Sequence, residues 1–421
     1  MLQELKKIIL LLRKEFRMDA VILAAGEGTR LRPLTLTRPK PMLPIAGKPI
    51  LQWDLEALKK FFKKVIIVVG YKKERIIEHF GKKFKNLKLE YIEQKEQLGT
   101  GHAVSLLKDH VSKEFFLMNG DIIISEETIK NFIKDFLEFR ANMLAVIKVE
   151  NPSDFGIVKL KGNRIQNIIE KPSFSKENLA NSGIYFFNEE IFKAIEKTER
   201  SPRGEYEITD AIKILIPEFY VSYCKGRLIN ISKPWDLLDA NEILLKELKL
   251  EREKNVKIEK FSVLKGKIHI GKNSIIRSGA YIEGPCWIGE NCIIGPNCFI
   301  RPATTIMNNC RIGNAVEIKN SIIMNNTNIC HLSYVGDSII GENCNFGAGT
   351  KIANLRNDSE EVRVEIKNKI VSSGRRKFGC IMGDNVKTGI NVSIMPGRAI
   401  YPDSIVEAGS IVRNTIMPTT E

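Results

Sequence analysis

Residues 268–321 read IHIGKNSIIRSGAYIEGPCWIGENCIIGPNCFIRPATTIMNNCRIGNAVEIKNS. Isoleucine stands at 270, 276, 282, 288, 294, 300, 306, 312 and 318, a step of six held without a miss. At an isoleucine frequency of roughly a tenth, chance yields such a run about once in a thousand million trials. A six-residue period is one face of a triangular parallel β-helix, in which three hexads make a coil and the isoleucines of successive coils stack inside. Positions two before each isoleucine also face inward and must be small; Cys286, Cys292, Cys298, Cys310 and Cys344 occupy them. These thiols are packing. No CxxC spacing supports a structural zinc site, and with five of the eight cysteines used in this way a reducing cytoplasm fits. The grid slips between Lys319 and Ser338, returns at Ile340, Phe346 and Ile352, breaks from Asn357 to Phe378, and resumes at Ile394, Ile400, Val406 and Val412. A slip in a repeat marks a loop or a site.

Upstream the pattern is different. From Asp19 to about Tyr220 short apolar strands (AVILAA, VIIVVG, LEYIEQ) alternate with amphipathic stretches at 51–62 and 73–80. Continuous apolar runs such as Val65 to Val69 are strands buried on both faces, which predicts an α/β domain. Residues 233–256 read as a helical connector, with Pro234 at its start and Leu237, Leu238, Ile243, Leu244 and Leu248 at helical spacing. The expected division is an N-terminal extension at 1–17, an α/β domain at 18–232, the connector, and a β-helix domain at 257–421. The extension lacks a cleavage site; it reads as an upstream start before Met18, or as an extra amphipathic helix. No run approaches the roughly 18 apolar residues of a spanning helix, so no membrane partner is expected. Sixty-five Lys and Arg against fifty Asp and Glu give a net charge of +15. The lysines fall in scattered pairs without interleaved aromatics, which favours small polyanionic substrates over nucleic acid.

The first strand ends in Gly26-Glu27-Gly28-Thr29-Arg30, a turn whose glycines let backbone N–H groups approach phosphate oxygens. By itself GxGxR fits a plain turn equally well. Its continuation brings Arg30 and Lys40 to the same end of the sheet, with prolines stiffening the chain between them. The run from Leu23 to Pro49, LAAGEGTRLRPLTLTRPKPMLPIAGKP, resembles the signature of sugar-1-phosphate nucleotidylyltransferases. EQLGTGHAV, Glu96 to Val104, resembles the base-recognition segment of the bacterial bifunctional N-acetylglucosamine-1-phosphate uridylyltransferase and glucosamine-1-phosphate acetyltransferase family. The resemblance covers nearly all of the chain from Met18 onward. It implies a Rossmann-like mixed-sheet nucleotidyltransferase domain followed by a left-handed parallel β-helix of hexapeptide repeats.

The resemblance also implies roles. Gly26, Gly28, Thr29 and Arg30 would cradle the nucleotide phosphates, Arg30 facing the pyrophosphate leaving group and Lys40 the attacked α-phosphate. Gln94, Gly99 and Thr100 match base-reading positions. Asp121 in MNGD matches the Mg²⁺ carboxylate, and Asn230 stands where many relatives place a second aspartate. Gly156, Glu170, Lys171 and Asn181 match groups that grip the sugar and its phosphate. The chemistry agrees: a sugar phosphate attacking a nucleotide α-phosphate brings two anions together, and this calls for cations and a metal rather than a protein nucleophile.

His331-Leu332-Ser333-Tyr334-Val335-Gly336-Asp337 lies in the interrupted part of the repeat. A lone histidine there reads as structural, but the context resembles the acetyltransferase site of the same family, where histidine is the general base on the sugar amine. An ammonium group cannot attack a thioester, so acetyl transfer requires a base of this kind. The resemblance places Tyr334 and the Ala348 N–H at the tetrahedral centre, Asn345 and Asn354 on the sugar, and Arg301 and Lys319 on its phosphate. It also implies acetyl-CoA as co-substrate and a homotrimer or dimer of trimers. The family has a lysine where this chain has Glu360, with Arg363, Arg375, Arg376 and Lys377 as candidate substitutes.

Three functions follow. The leading one is N-acetylation of a hexosamine 1-phosphate and nucleotidyl transfer to the product from UTP. The second is a glucose-1-phosphate uridylyl- or thymidylyltransferase, using UTP or dTTP, whose β-helix is not catalytic. The third is a non-enzymatic scaffold like the translation-initiation exchange-factor subunits, which predicts loss of phosphate and metal residues. Arg30, Lys40 and Asp121 are all present.

Overall fold

The computed structural model describes residues 18–247, 249 and 251–417, so the expected extension at 1–17 and Leu248 of the connector lie outside the described residues. The run DAVILA forms the strand Asp19–Ala24, central in a ten-stranded sheet. It pairs in parallel with Lys64–Val69 on one side and Glu114–Asn119 on the other, and Lys64–Val69 pairs in parallel with Leu87–Glu93. Alternate side chains enter two cores: Ala20, Ile22, Val65 and Ile67 pack on one face, and Val21, Ile66 and Val68 on the other. That is why these strands carry no polar alternation. The sheet is mixed because Leu179–Asn188 pairs antiparallel with both Glu114–Asn119 and Asn142–Lys148.

The repeat folds as three parallel sheets of eight strands each, the three faces of a β-helix. The isoleucines at 270, 276, 282, 288, 294, 300, 306, 312 and 318 are all fully buried, as are Cys286, Cys292, Cys310 and Cys344. Each such isoleucine contributes about 1.5–3 kcal/mol by leaving water. The strands are only two to four residues long, so the corners carry much of the geometry. At one corner Asn273, Asn291, Asn309, Asn326, Asn343 and Asn385 all have φ between 55° and 61°. Asparagine tolerates this left-handed region best among residues with a β-carbon. Their amides also form a ladder, each donating to the residue one coil on at 2.8–3.2 Å, from Asn255 to Asp403.

The slip in the grid lies at the corners rather than in the strands. Ile300 stacks under Ile318, but Ile318 stacks under Val335 and Val335 under Ile352, because the corner after each of Ile318 and Val335 is one residue shorter. The later break is an excursion: Arg363–Ile366 and Lys369–Ser372 form an antiparallel hairpin, while Ile339–Ile340 pairs directly with Ile381–Met382. The connector is helical over Pro234–Lys246, and Glu251–Arg252 already pairs with His269–Ile270 as a first β-helix strand; this corrects the helical reading of its last residues.

Two compact units result. One comprises residues up to Glu27, Pro39–Met42 and Ile50–Asn230; the other comprises Gly28–Arg38, Leu43–Pro49 and Ile231 onward. Two pieces of the Leu23-to-Pro49 signature therefore belong with the β-helix.

Candidate active sites

In the sheet unit, strands Asp19–Ala24 and Glu114–Asn119 run in parallel and their carboxyl ends lie together. Gly120 N donates to Leu23 O at 2.8 Å, and a β-carbon on Gly120 would meet that oxygen at 2.7 Å. The next residue, Asp121, accepts an ion pair from Lys40 Nζ at 2.9 Å. Lys40 is 9% exposed, so its charge lies close to the Asp121 carboxylate in a poorly solvated place. The ribbon Leu228–Asn230 pairs with Ile122–Ile124 and sets Asn230 opposite Ile122, next to Asp121. A carboxylate oxygen and an amide oxygen are hard donors of the kind Mg²⁺ takes alongside phosphates, so the chemistry of this pair fits that ion. Gly26 is exposed with no atom within 4 Å of where its β-carbon would stand, which leaves room beside the backbone.

The base-reading candidates form a tight knot. Gln94 is 5% exposed; its Nε2 donates to Gly99 O at 3.1 Å and lies 3.1 Å from His102 Nδ1. Gly99 has φ 100° and packs on Glu205 and Tyr206, where a β-carbon would come within 2.7 Å of Tyr206 O. Thr100 Oγ1 accepts from Ile208 N at 3.2 Å, at the start of the helix Ile208–Ile214. The sugar candidates also converge. Gly156 faces Glu170 across a hairpin, and a β-carbon on it would meet Glu170 Oε2 at 3.0 Å and Asn181 Cβ at 3.5 Å. Lys171 Nζ lies 3.4 Å from Glu170 Oε1. Asn181 opens a bulge: its Nδ2 donates to the Tyr185 hydroxyl at 2.7 Å and its Oδ1 accepts from Gly183 N at 2.9 Å.

Gly28, Thr29 and Arg30 lie in the β-helix unit. Gly28 has φ 64° and leads into the single turn Thr29–Leu31, with Leu31 N bonded to Gly28 O at 2.9 Å and Thr35 Oγ1 donating to the same oxygen at 2.9 Å.

On the β-helix, His331 ends the strand Asn328–His331 at an exposed corner. Among the described residues no side chain hydrogen-bonds its imidazole. Gly349 N donates to His331 O at 3.3 Å, so the corner Gly347-Ala348-Gly349 stacks next to it in the following coil. Asn345 is exposed one strand over from Asn328. Tyr334 lies across Gly336, where a β-carbon would stand 2.6 Å from its hydroxyl; that hydroxyl accepts from Asn354 Nδ2 at 3.2 Å. Burial, then the carboxylates of Asp337 and Glu317, push the Tyr334 phenol up. Asp337, 2% exposed, gathers Lys319 Nζ at 3.2 Å, Asn320 Nδ2 at 2.8 Å, Asn354 Nδ2 at 2.5 Å and Arg375 Nη2 at 3.8 Å. Arg301 Nη1 pairs with Glu317 Oε1 at 2.9 Å.

The chain as a whole is similar to several known proteins. Residues 19–247 match the nucleotidyl transferase family model, 253–284 match the bacterial transferase hexapeptide model and 282–417 match the GMPPB C-terminal domain model. The bifunctional protein GlmU of Methanocaldococcus jannaschii is 48% identical over 96% of this chain and 97% of its own. The bifunctional sugar-1-phosphate nucleotidylyltransferase/acetyltransferase of Sulfurisphaera tokodaii is 41% identical over 95% of this chain and 98% of its own. The chain belongs to this bifunctional family. It is a sugar-1-phosphate nucleotidylyltransferase with acetyltransferase activity. A solved UDP-glucose pyrophosphorylase with bound UDP-glucose superposes with a TM-score of 0.51 at 24% identity, over 55% of this chain and 99% of that one, and shares the sheet-domain fold.

Within this family frame, sequence reasoning missed three partners. Asp337 stood inside the quoted histidine motif without a role, because a carboxylate beside a phosphate clamp reads as repulsive until its cationic neighbours are seen. Arg203, whose Nη2 lies 3.6 Å from Glu170 Oε1, and Tyr185, which receives Asn181, carry no motif at all. Among the four candidate replacements for the family lysine, Arg375 reaches Asp337, whereas Glu360 is exposed on the excursion with its backbone N–H donating to Asp358.

Proposed function

We propose that the chain makes a UDP-N-acetylhexosamine from a hexosamine 1-phosphate, acetyl-CoA and UTP. In the first reaction the His331 imidazole takes a proton from the sugar ammonium, and the freed amine attacks the thioester carbonyl. The tetrahedral oxygen is met by the Ala348 N–H and the Tyr334 hydroxyl, the C–S bond breaks, and the thiol of coenzyme A leaves. Lys319 and Arg301, already balanced against Asp337 and Glu317, would receive the sugar phosphate. In the second reaction a phosphate oxygen of the N-acetylated sugar attacks the α-phosphorus of UTP and pyrophosphate departs. Lys40 and Arg30 offset the charge on the attacked and leaving phosphates, and Asn181 and Glu170 orient the sugar. Asp121 and Asn230 would hold Mg²⁺, which when bound neutralises phosphate charge. The observation that carries this reading is one chain holding both the Lys40–Asp121 pair and the Tyr334–Asn354–Asp337–Lys319 cluster beside His331. Exposed Ile390, Ile405 and Ile411 on the last coils supply apolar surface for the homotrimer or dimer of trimers of this reading.

Thiol release from acetyl-CoA with glucosamine 1-phosphate or galactosamine 1-phosphate tests it. Release is expected with one of these sugars and lost by about 10²–10⁴-fold in His331→Ala, while pyrophosphate release from UTP and N-acetylglucosamine 1-phosphate stays at the wild-type rate. No thiol with either sugar, beside normal pyrophosphate release, would leave the β-helix as an assembly module and support the monofunctional alternative; running dTTP beside UTP reads the base preference.

A further inference from the structure

The phosphate-binding loop continues from Gly28, Thr29 and Arg30 to Arg38, and the β-helix unit holds its far end. Arg38 is 7% exposed, and its guanidinium pairs with Glu342 Oε1 at 2.8 Å and with the Asp384 carboxylate. The two acids occupy the same corner of consecutive coils, just before Asn343 and Asn385 of the asparagine ladder. They are themselves fixed: Glu342 N donates to Asp384 Oδ1 at 2.8 Å, and Asn325 Nδ2 donates to Glu342 Oε1 at 2.8 Å. Burial opposes the charge on Arg38, but Asp384 and Glu342 outweigh it and raise the guanidinium above its ordinary value.

A second anchor follows a few residues later. Asn241, fully buried in the helix Pro234–Lys246, accepts from Ala46 N at 2.8 Å and from Thr305 Oγ1 at 2.7 Å, and donates to Ala303 O at 2.8 Å. Beside it Gly47 lies against the Trp287 indole, closely enough that a β-carbon would come within 2.0 Å of the ring. Trp287 in turn stacks on His269 at 3.6 Å between ring centroids. None of these side chains has a part in either reaction above, and a polar cluster buried this deeply costs stability unless fully paired.

We propose that Arg38, Glu342, Asp384, Asn241 and Thr305 are positioning residues for nucleotidyl transfer: corners of the β-helix serve as the rigid seat of the loop Gly28–Arg38, which carries Arg30. The β-helix then contributes to both reactions, as acetyltransferase and as the mount for the phosphate-binding loop of the other. This rests on the nucleotidyl-transfer reading above. Acetyl transfer is insulated, because Glu342 and Asp384 lie at a different corner of the coil from His331.

Full-length Glu342→Gln/Asp384→Asn keeps the shapes and removes both charges. With UTP and N-acetylglucosamine 1-phosphate, its kcat/KM is expected to fall about ten-fold or more with KM for UTP raised, while thiol release from acetyl-CoA stays within about two-fold. A purely structural defect would lower both activities together and appear in the melting curve. Trypsin provides a readout that needs no activity: cleavage after Arg30 is expected to speed up about ten-fold in the variant. The milder Thr305→Val, which removes one hydrogen bond from the second anchor, is expected to shift the same quantities by about three-fold, and it carries the test if the double variant does not fold. Unaltered kcat/KM and unaltered cleavage in a folded variant would overturn the proposal. Wild-type protein inert toward UTP would refute the nucleotidyl-transfer reading, and faster cleavage in the variant would still establish the seat.

Discussion

Asp54 shows how one buried group acts on a site it does not line. It lies fully buried in the helix Ile50–Leu58, its Oδ1 accepts from Ile124 N at 3.4 Å, and its Oδ2 has no partner among the described residues. It thereby touches the ribbon that sets Asn230 beside Asp121. Burial, opposed by the Ile124 N–H and reinforced by the negative charge of Asp121, raises its carboxyl well above the ordinary value. The sign follows directly. An acid whose folded value is raised contributes stability below the unfolded value, about 4, and loses it as pH climbs toward the folded value. Asp54→Asn has no proton to lose, so its melting temperature relative to wild type is expected to rise steadily from pH 4 to pH 8. A difference that stays flat over this range would mean that Asp54 ionises without cost. Such a residue leaves no mark in the sequence, because an aspartate within an amphipathic helix reads as a solvent-facing position until the chain around it is placed.

At the scale of elements, the β-helix divides its work between the faces and the corners. Inward positions need only bulk without polarity, which isoleucine supplies, whereas corners need φ near +55° to +60°, which asparagine and glycine supply. Asn309 has φ 60° and bonds to Asn291 and Asn326 on either side. Asn309→Gly is expected to lose only the ladder bonds, about 0.5–1.5 kcal/mol in denaturant unfolding, while Asn309→Val adds left-handed strain of about 1–2 kcal/mol. Equal losses would make the ladder, rather than the backbone, the source of stability. The same division explains what could be read in advance. The period of six was legible because one inward position of each hexad repeats isoleucine, and the glycine-rich turn was legible because its residue types are chemically restrictive. The shortened corners after Ile318 and Val335 were visible only as a slip, since the loss of one corner residue changes register without changing what faces inward. Lys319, Asn354 and Arg375 were already candidates, but their common centre at Asp337 was not legible: with Asn320 they come from two other coils and the excursion, and only stacking brings them to one carboxylate. The seating of Gly28–Arg38 with the β-helix was equally hidden, because the loop's motif describes what it binds and says nothing of what holds it.

The thiols report on the whole molecule. All eight cysteines are free; Cys286, Cys292, Cys298, Cys310, Cys344 and Cys380 are buried, and Cys224 and Cys330 are half-buried. The buried six all line the β-helix core, so their accessibility measures the opening of stacked coils, while Cys224 lies in the sheet unit. Burial pushes the thiols of Cys286, Cys298, Cys344 and Cys380 up to about 12. Against an ordinary value near 9, this lowers the thiolate fraction at pH 8 by about a thousand-fold, and the thiolate is the species that alkylates. Iodoacetamide at pH 8 is therefore expected to modify the native protein at Cys330 first and at Cys224 more slowly, since burial raises that thiol too, and to reach the other six only in denaturant. Mass spectrometry counts the adducts directly. The same shifts fix the alkaline limit of the fold: unfolded, these four thiols ionise from about pH 9, whereas folded they remain neutral, so stability is expected to fall as pH rises from about 9 toward 12. Rapid labelling of a third cysteine at pH 8, without loss of either enzymatic activity, would show that some coils open independently of both sites. The β-helix would then be a string of loosely coupled turns, too mobile at that point to act as a rigid mount.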